Sequence, residues 1–357
     1  MILQGCLPRS YQALNALAER IHGWLQRTLP DVTICSKPAL AKRSGQGAVE
    51  ILLNPFLREL AARAAAGSDL LPPEQGVFRC GGFEINPSTG EIRPTFFLLI
   101  RRVAEFALHW CYALVVIGSW FLRAPRDSRG AAILVFGVGR ENIVEGESSA
   151  RFVKFCSEGP ITPLVHAGRL IVQRVDDPAS DCVRDRIEYA RFPLHAHLLG
   201  QRFRAGWLIR MLWHHFSALI QYFFNVLRAP VLCVLGRDYA DHGLAVVLND
   251  RALIENIVIT NSNYARQPLW MTDLPGRRYR LHVAWYSMSG SNPLVYKDDP
   301  VVGVFPLAPF LRADEFWFWT QGQAAFYARL GVAGMMHVVG PILWHLPESA
   351  TARPCSA

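Results

Sequence analysis

Lysine is nearly missing from this chain. Lys37, Lys42, Lys154 and Lys297 are the only four, so the formal net charge of +8 is carried almost wholly by arginine. Arginine offers a two-pronged fork to phosphate, which fits nucleotide sugars and anionic lipid headgroups. The arginines are scattered and no recognisable nucleic-acid motif accompanies them, which argues against a nucleic-acid partner. Paired cysteines are missing too. The eight cysteines lie apart, with no C-x-x-C and no secretory signal ahead of them, so neither a disulfide framework nor a zinc cluster is expected, and a reducing cytosol fits. Cys156 and Cys233 sit in apolar runs and read as core residues.

What the chain has in quantity is apolar residues, at 51% with a mean hydropathy of +0.16. Two segments concentrate them. In "WLIRMLWHHFSALIQYFFNVLR" the polar residues Arg210, His214, Ser217, Gln221, Asn225 and Arg228 recur every three or four positions. That spacing puts them along one side of a helix with apolar residues around the rest, an amphipathic pattern and not a transmembrane one. "LLIRRVAEFALHWCYALVVIGSWFLR" repeats the plan, with Arg101, Arg102, Glu105 and His109 ahead of an apolar run to Leu122. Phe106 to Leu122 reaches only the lower edge of the ~20 residues a bilayer crossing needs. Such helices either lie at a membrane interface or pack on each other and on a sheet.

From residue 131 the pattern is doubly wound. "AAILVFGV", "GRLIVQ", "VLCVLG", "NIVITN", "RLHVAWYS" and "EFWFWT" read as strands, with helices between several of them. Strand, helix, strand requires a right-handed crossover and a parallel sheet, so the fold class is α/β, a Rossmann-like doubly wound parallel sheet accompanied by amphipathic membrane-associated helices. Ahead of it, residues 1–125 form a helical and hairpin region, with an amphipathic helix in "LNALAERIHGWLQRTL" and a hairpin in "FEINPSTGEIRP".

Ligands of such sheets sit beyond the carboxyl ends of the strands, where the polar loops of this chain fall. "GVGRENIVEGE" follows the first strand. Its Gly137-x-Gly139 lacks the third glycine of a dinucleotide fingerprint, Asn142 standing there, and the distant acidic partner is missing, so no nicotinamide or flavin is expected. Glu141, Glu145 and Glu147 suit a helix N-terminus, and alternatively one of them, with Arg140, projects into the crevice as a general base. Ser148 is better placed to cap a helix than to act as a nucleophile. "TNSNYARQPLWM" gathers Asn261, Asn263, Tyr264, Gln267 and Trp270, neutral hydrogen-bonding groups beside flat apolar surfaces, which is what a sugar face needs; an Asx-rich turn is the plainer alternative. "WYSMSGSNPLVYK" repeats the mixture with Tyr286 and with Lys297, which meets a phosphate or solvent. His195 and His197 have the spacing of one strand face without a third ligand nearby, so no metal is expected.

"EFWFWTQGQAAFYARLGVAGMMHVVGPILWHLP" runs strand, Trp-Thr turn, helix, Gly, strand, Gly340-Pro341, with Thr320 and Gln323 at capping-box spacing. This stretch resembles the hinge between the lobes of a GT-B glycosyltransferase, and together with the two polar loops it is similar to bacterial transferases that build surface polysaccharide such as O-antigen or capsule. The resemblance implies an N-lobe over 126–331 that holds the acceptor and the base, and the start of a truncated C-lobe over 332–357. It also implies transfer from a nucleotide-sugar donor, with no permanently bound cofactor, to a lipid-linked or glycan acceptor on the inner face of the cell membrane. The nucleotide-binding lobe would then come from a second polypeptide. A nucleotide-sugar epimerase-like enzyme and a non-catalytic membrane-surface or partner-binding remnant are the alternatives.

Overall fold

The computed structural model describes residues 76–80, 82–122, 131–138, 169–174, 182–184, 187–260, 267–272, 274, 276–285, 312–329 and 332–341, together with Arg20, Ile21, Gly23, Trp24 and Arg27. A small three-stranded antiparallel sheet comes first: β1 (Phe78–Cys80), β2 (Phe83–Ile85) and β3 (Ile92–Pro94). The expected hairpin is β2–β3, closed by an Asx turn in which Asn86 Oδ1 accepts from the Ser88 N–H at 3.0 Å. Of the amphipathic helix expected before it, Arg20, Ile21, Gly23, Trp24 and Arg27 are helical, and Ile21 is buried.

The main sheet holds β4 (Ala132–Val138), β5 (Arg169–Arg174), β6 (Cys182–Arg184), β7 (Ile187–Ala190), β8 (Ile254–Thr260), β9 (Arg280–Ala284), β10 (Arg312–Phe318) and β11 (Ala333–Val338). Their spatial order is β11-β10-β9-β8-β4-β5-β7-β6. Seven strands are parallel, and β6 adds an antiparallel edge to β7. With the parallel strands counted along the chain, the order is that of the doubly wound nucleotide-binding sheets, extended by one strand. β4 carries no polar side chain from Ala132 to Val135, and all four are buried, because both faces of a parallel sheet are covered.

Among the described residues, four helices line one face: α2 (Pro193–Leu199), α4 (Gly236–Asp250), α5 (Leu269–Thr272) and α6 (Gln321–Arg329). Leu194 and Leu198 of α2, Leu244 and Leu248 of α4, Met271 of α5 and Phe326 of α6 share one core with Leu134, Ile257, Leu281 and Phe316 of the strands. Over α4 lie two long helices, α1 (Phe96–Leu122) and α3 (Ala205–Arg228). They run antiparallel: Phe106 meets Tyr222 at 3.9 Å between ring centroids, Trp110 stacks on His215 at 4.6 Å, and Trp120 stacks on Trp207 at 6.2 Å. The Trp110 indole donates to the His215 carbonyl, and His215 Nε2 donates back to the Trp110 carbonyl, each at 3.1 Å.

Three expectations are corrected. "VLCVLG" is a 3-10 turn, Pro230–Leu235, that runs into α4, and not a strand. Its apolar residues are buried against helices, and a short apolar run looks the same in either setting. His195 and His197 lie on α2, not on a strand; Pro193 opens that helix, and the His197 ring donates to the Leu253 carbonyl at 2.6 Å. Finally, β11 does not open a second lobe. It pairs in parallel with β10, Phe316 opposite Met336 and Phe318 opposite Val338, as the seventh parallel strand of the same sheet. Thr320 caps the helix as its spacing predicts, the Gln323 N–H donating to Thr320 Oγ1 at 3.1 Å, but the Gln323 side chain reaches one residue past the cap, where its Oε1 accepts from the Trp319 N–H at 2.9 Å. Cys233 is buried, and burial pushes its thiol up to about 12. Cys156 lies outside the described residues.

Candidate functional site

The strand order reverses between β4 and β8. After β4 the chain moves out to β5 and β7, and after β8 it moves the other way, to β9, β10 and β11. Two neighbouring strands whose following segments diverge leave a crevice at their carboxyl ends, the usual ligand site of open α/β sheets. Here Val135 pairs with Val258 and Phe136 with Ile259, so the segments starting after Val138 and after Thr260 leave from adjacent strand ends. These segments begin the two loops singled out by their polarity. The tertiary fold therefore starts these two segments from adjacent strand ends, a relationship their separation in sequence does not reveal. Arg140, Glu141, Glu145, Asn261, Asn263, Tyr264, Tyr286 and Lys297 themselves lie outside the described residues.

Gln267 and Trp270 are described, and both are occupied by the fold. Gln267 is buried; its side-chain amide donates to the Arg312 carbonyl at 2.7 Å and accepts from the Arg312 N–H at 2.9 Å, the two bonds a backbone neighbour would make. It pins the start of β10 to the segment after β8. Trp270 is 4% exposed and belongs to the hydrophobic core, with its ring edge-on to Phe136 at 6.1 Å, so it offers no open face for a sugar to stack on. Its backbone carbonyl accepts from the Tyr279 hydroxyl, and its indole N–H has no partner among the described residues.

On the sheet face opposite α4, polar side chains occupy matching positions on neighbouring strands. His282 on β9 sits directly across from Glu315 on β10 and one diagonal step from Asn256 on β8. Asn256 Oδ1 can only accept, so His282 Nε2 carries the proton in their 2.9 Å bond. His282 Nδ1 faces Glu315 Oε2 at 3.3 Å and His337 Nε2 faces the same oxygen at 3.6 Å, with Arg280 3.4 Å from Oε1. Burial pushes His282 down to about 4 against the pull of Glu315 and Asp314. This row was missed in the sequence, yet its signal is present there: Asn256, His282 and Glu315 interrupt three largely apolar strand segments, "NIVIT", "RLHVA" and "EFWFW". It lies partway down the strands, below the crevice, so it fixes strand register and is not placed to touch a ligand at the strand ends.

Residues 216–355 match the family described as "Polysaccharide biosynthesis PFTS motif protein". The matched part runs from the second half of α3 through β8, β9, β10 and β11. It contains the polar segments after β8 and β9 but not Arg140, Glu141 or Glu145. No curated protein and no solved structure matches the chain. The family match, with an α/β parallel sheet beneath it, supports a role in polysaccharide biosynthesis.

Proposed function

We propose that the protein is a glycosyltransferase acting in polysaccharide biosynthesis, moving a sugar from a nucleotide-sugar donor to a lipid-linked or glycan acceptor at the crevice between β4 and β8. The observation that carries this reading is the switch point itself. Two segments start from its adjacent strand ends, one carrying the carboxylates Glu141 and Glu145 and the other Asn261, Asn263 and Tyr264, and the second of these lies within the polysaccharide-biosynthesis match.

In this reading Glu141 or Glu145 takes the proton from the attacking acceptor hydroxyl as the glycosyl bond to the donor diphosphate breaks. Asn261, Asn263 and Tyr264 hold sugar hydroxyls, while Arg140 and Lys297 neutralise the departing diphosphate. The fuller form of the proposal is a GT-B-type arrangement in which this sheet serves the acceptor and a second polypeptide supplies the nucleotide lobe. Incubating the full chain with radiolabelled UDP-, GDP- and dTDP-sugars and a membrane lipid extract tests it. Transfer of label to lipid or glycan, reduced at least 100-fold by Glu141→Gln or Glu145→Gln, is expected. Absence of transfer with every donor, with and without a partner lobe, would overturn it.

A further inference from the structure

The helix pair over α4 turns its apolar side outward. The residues of α3 that face the protein are Trp207, Met211, His215, Ala218, Tyr222 and Val226. On the opposite side, where a helix of a water-soluble surface carries charge, stand Ile209, Trp213, Phe216, Ile220, Phe224 and Leu227, between 48% and 84% exposed. The polar stripe of Arg210, His214, Ser217 and Gln221 runs along the boundary between the two, with Arg210 paired to Asp250 of α4. α1 does the same. Phe97, Ile100, Leu108, Val115, Phe121 and Leu122 are exposed, and Arg101 is the one charged residue among its exposed positions. Because α1 and α3 lie side by side, these form one continuous apolar strip.

We infer that this strip is a docking surface for an anionic lipid bilayer, entered in the plane of the membrane by both helices together. Charge selects the occupant. α3 contains no acidic residue, and the single acid of α1, Glu105, is already held by Arg101 at 2.9 Å and Arg102 at 2.7 Å. Cations stand at both ends of the strip: Arg101 and Arg228 at one, and Arg204 and Arg251 stacked on Trp207 at the other, 4.9 and 5.3 Å from its ring. Arg191 and Arg237 flank Phe192 beside α1 at 5.5 and 5.4 Å. An apolar strip rimmed by arginine and bearing Trp213 and Tyr112 matches the acyl boundary and phosphate layer of a bilayer.

α1 is long and apolar enough to cross a membrane, but its inner side is committed: Phe106, Ala113, Ile117 and Trp120 are buried, and Trp120 donates to the Gln201 carbonyl at 3.0 Å. Crossing would strip that side from the protein. In-plane insertion leaves it intact, and holds the protein at the surface where a lipid-linked acceptor resides; only this last link rests on the proposed transfer reaction.

Flotation of the full chain with vesicles tests the inference: 30% phosphatidylglycerol in phosphatidylcholine against phosphatidylcholine alone. Wild type should float at least tenfold more with the anionic vesicles. Trp213→Glu with Phe224→Glu should abolish flotation while circular dichroism and melting temperature stay unchanged, since both side chains are exposed. Carbonate at pH 11 should release the protein. Unchanged flotation of the double variant, resistance to carbonate, or self-association that covers the strip without vesicle binding would each overturn it. Flotation without sugar transfer would leave the docking surface standing and remove the proposed reaction instead.

Discussion

Gln267 holds Arg312 by both of its backbone bonds, donating at 2.7 Å and accepting at 2.9 Å across 45 residues of sequence. A glutamine from a polar loop thus takes the place of a strand neighbour. Both amide ends are spent on the fold, and the side chain is buried, so its removal leaves an N–H and a carbonyl unpaired. Gln267→Ala should lower stability by about 1–3 kcal/mol, read as a shift in the urea midpoint. A normal midpoint with weakened sugar binding would assign Gln267 to the substrate instead.

Helix α4 ends in a Schellman motif built without glycine. The Ala252 N–H donates to the Asn249 carbonyl at 2.8 Å, and the Leu253 N–H to the Leu248 carbonyl at 3.0 Å, with Ala252 at φ 52°. That left-handed position carries a steric cost for any residue with a Cβ. Ala252→Gly should therefore raise stability, by about 0.5–1 kcal/mol, despite removing a methyl group. A lower melting temperature for the variant would show that the turn tolerates alanine without strain.

The helices meet through glycines. A Cβ on Gly236 would stand 2.7 Å from Phe106 Cβ, where α1 crosses the start of α4, and one on Gly243 would stand 3.1 Å from the backbone of Met211 and His215 on α3. Gly236→Ala should cost about 1–3 kcal/mol by forcing α1 outward. Gly206→Ala, where a Cβ would meet nothing within 4 Å, is the control and should leave stability unchanged or slightly raised.

Two buried imidazoles make the protein sensitive to acid. Burial, with His214 nearby, pushes His242 down to about 4, and burial does the same to His282. In the unfolded chain each titrates near ~6.5. Between those values the unfolded state binds the extra proton, so stability is complete above about pH 6.5, falls as the pH drops to about 4, and is not lost further to these groups below that. For His242 the loss is roughly 3 kcal/mol. His242→Gln should flatten the dependence of melting temperature on pH over this window, and an unaltered slope would place the acid sensitivity elsewhere.

At the start of β9, burial pushes Asp314 of β10 up, but the Arg277 fork at 2.6 and 2.8 Å and the Leu281 N–H at 2.7 Å outweigh it and hold the carboxyl below its usual range. The pair is partly exposed, so solvent screening leaves about 1 kcal/mol to be lost in Asp314→Asn at neutral pH. Because the folded carboxyl is the more acidic, that difference should vanish as the pH falls below the folded value.

Strands β4, β5, β8, β9 and β10 could be placed from the amino-acid order, because a strand covered on both faces reads as a short, mostly apolar run, and the capping pair Thr320 and Gln323 marks a helix start at short range. "VLCVLG" could not be told from a strand, since burial among helices demands the same composition as burial within a sheet. The residues of the candidate crevice were visible as polar loops, but nothing local says that the loop after Val138 and the loop after Thr260 leave neighbouring strands. That depends on β8 pairing with β4 after a crossover of more than sixty residues from β7, a contact made only when the sheet assembles. The same division holds for the helix pair. Spacing alone establishes that α1 and α3 are amphipathic, because the helical period is a property of the chain. Which side each one buries is decided by packing: the inner side meets α4 through close glycine contacts, leaving a second apolar side outward and the polar stripe of α3 at its margin.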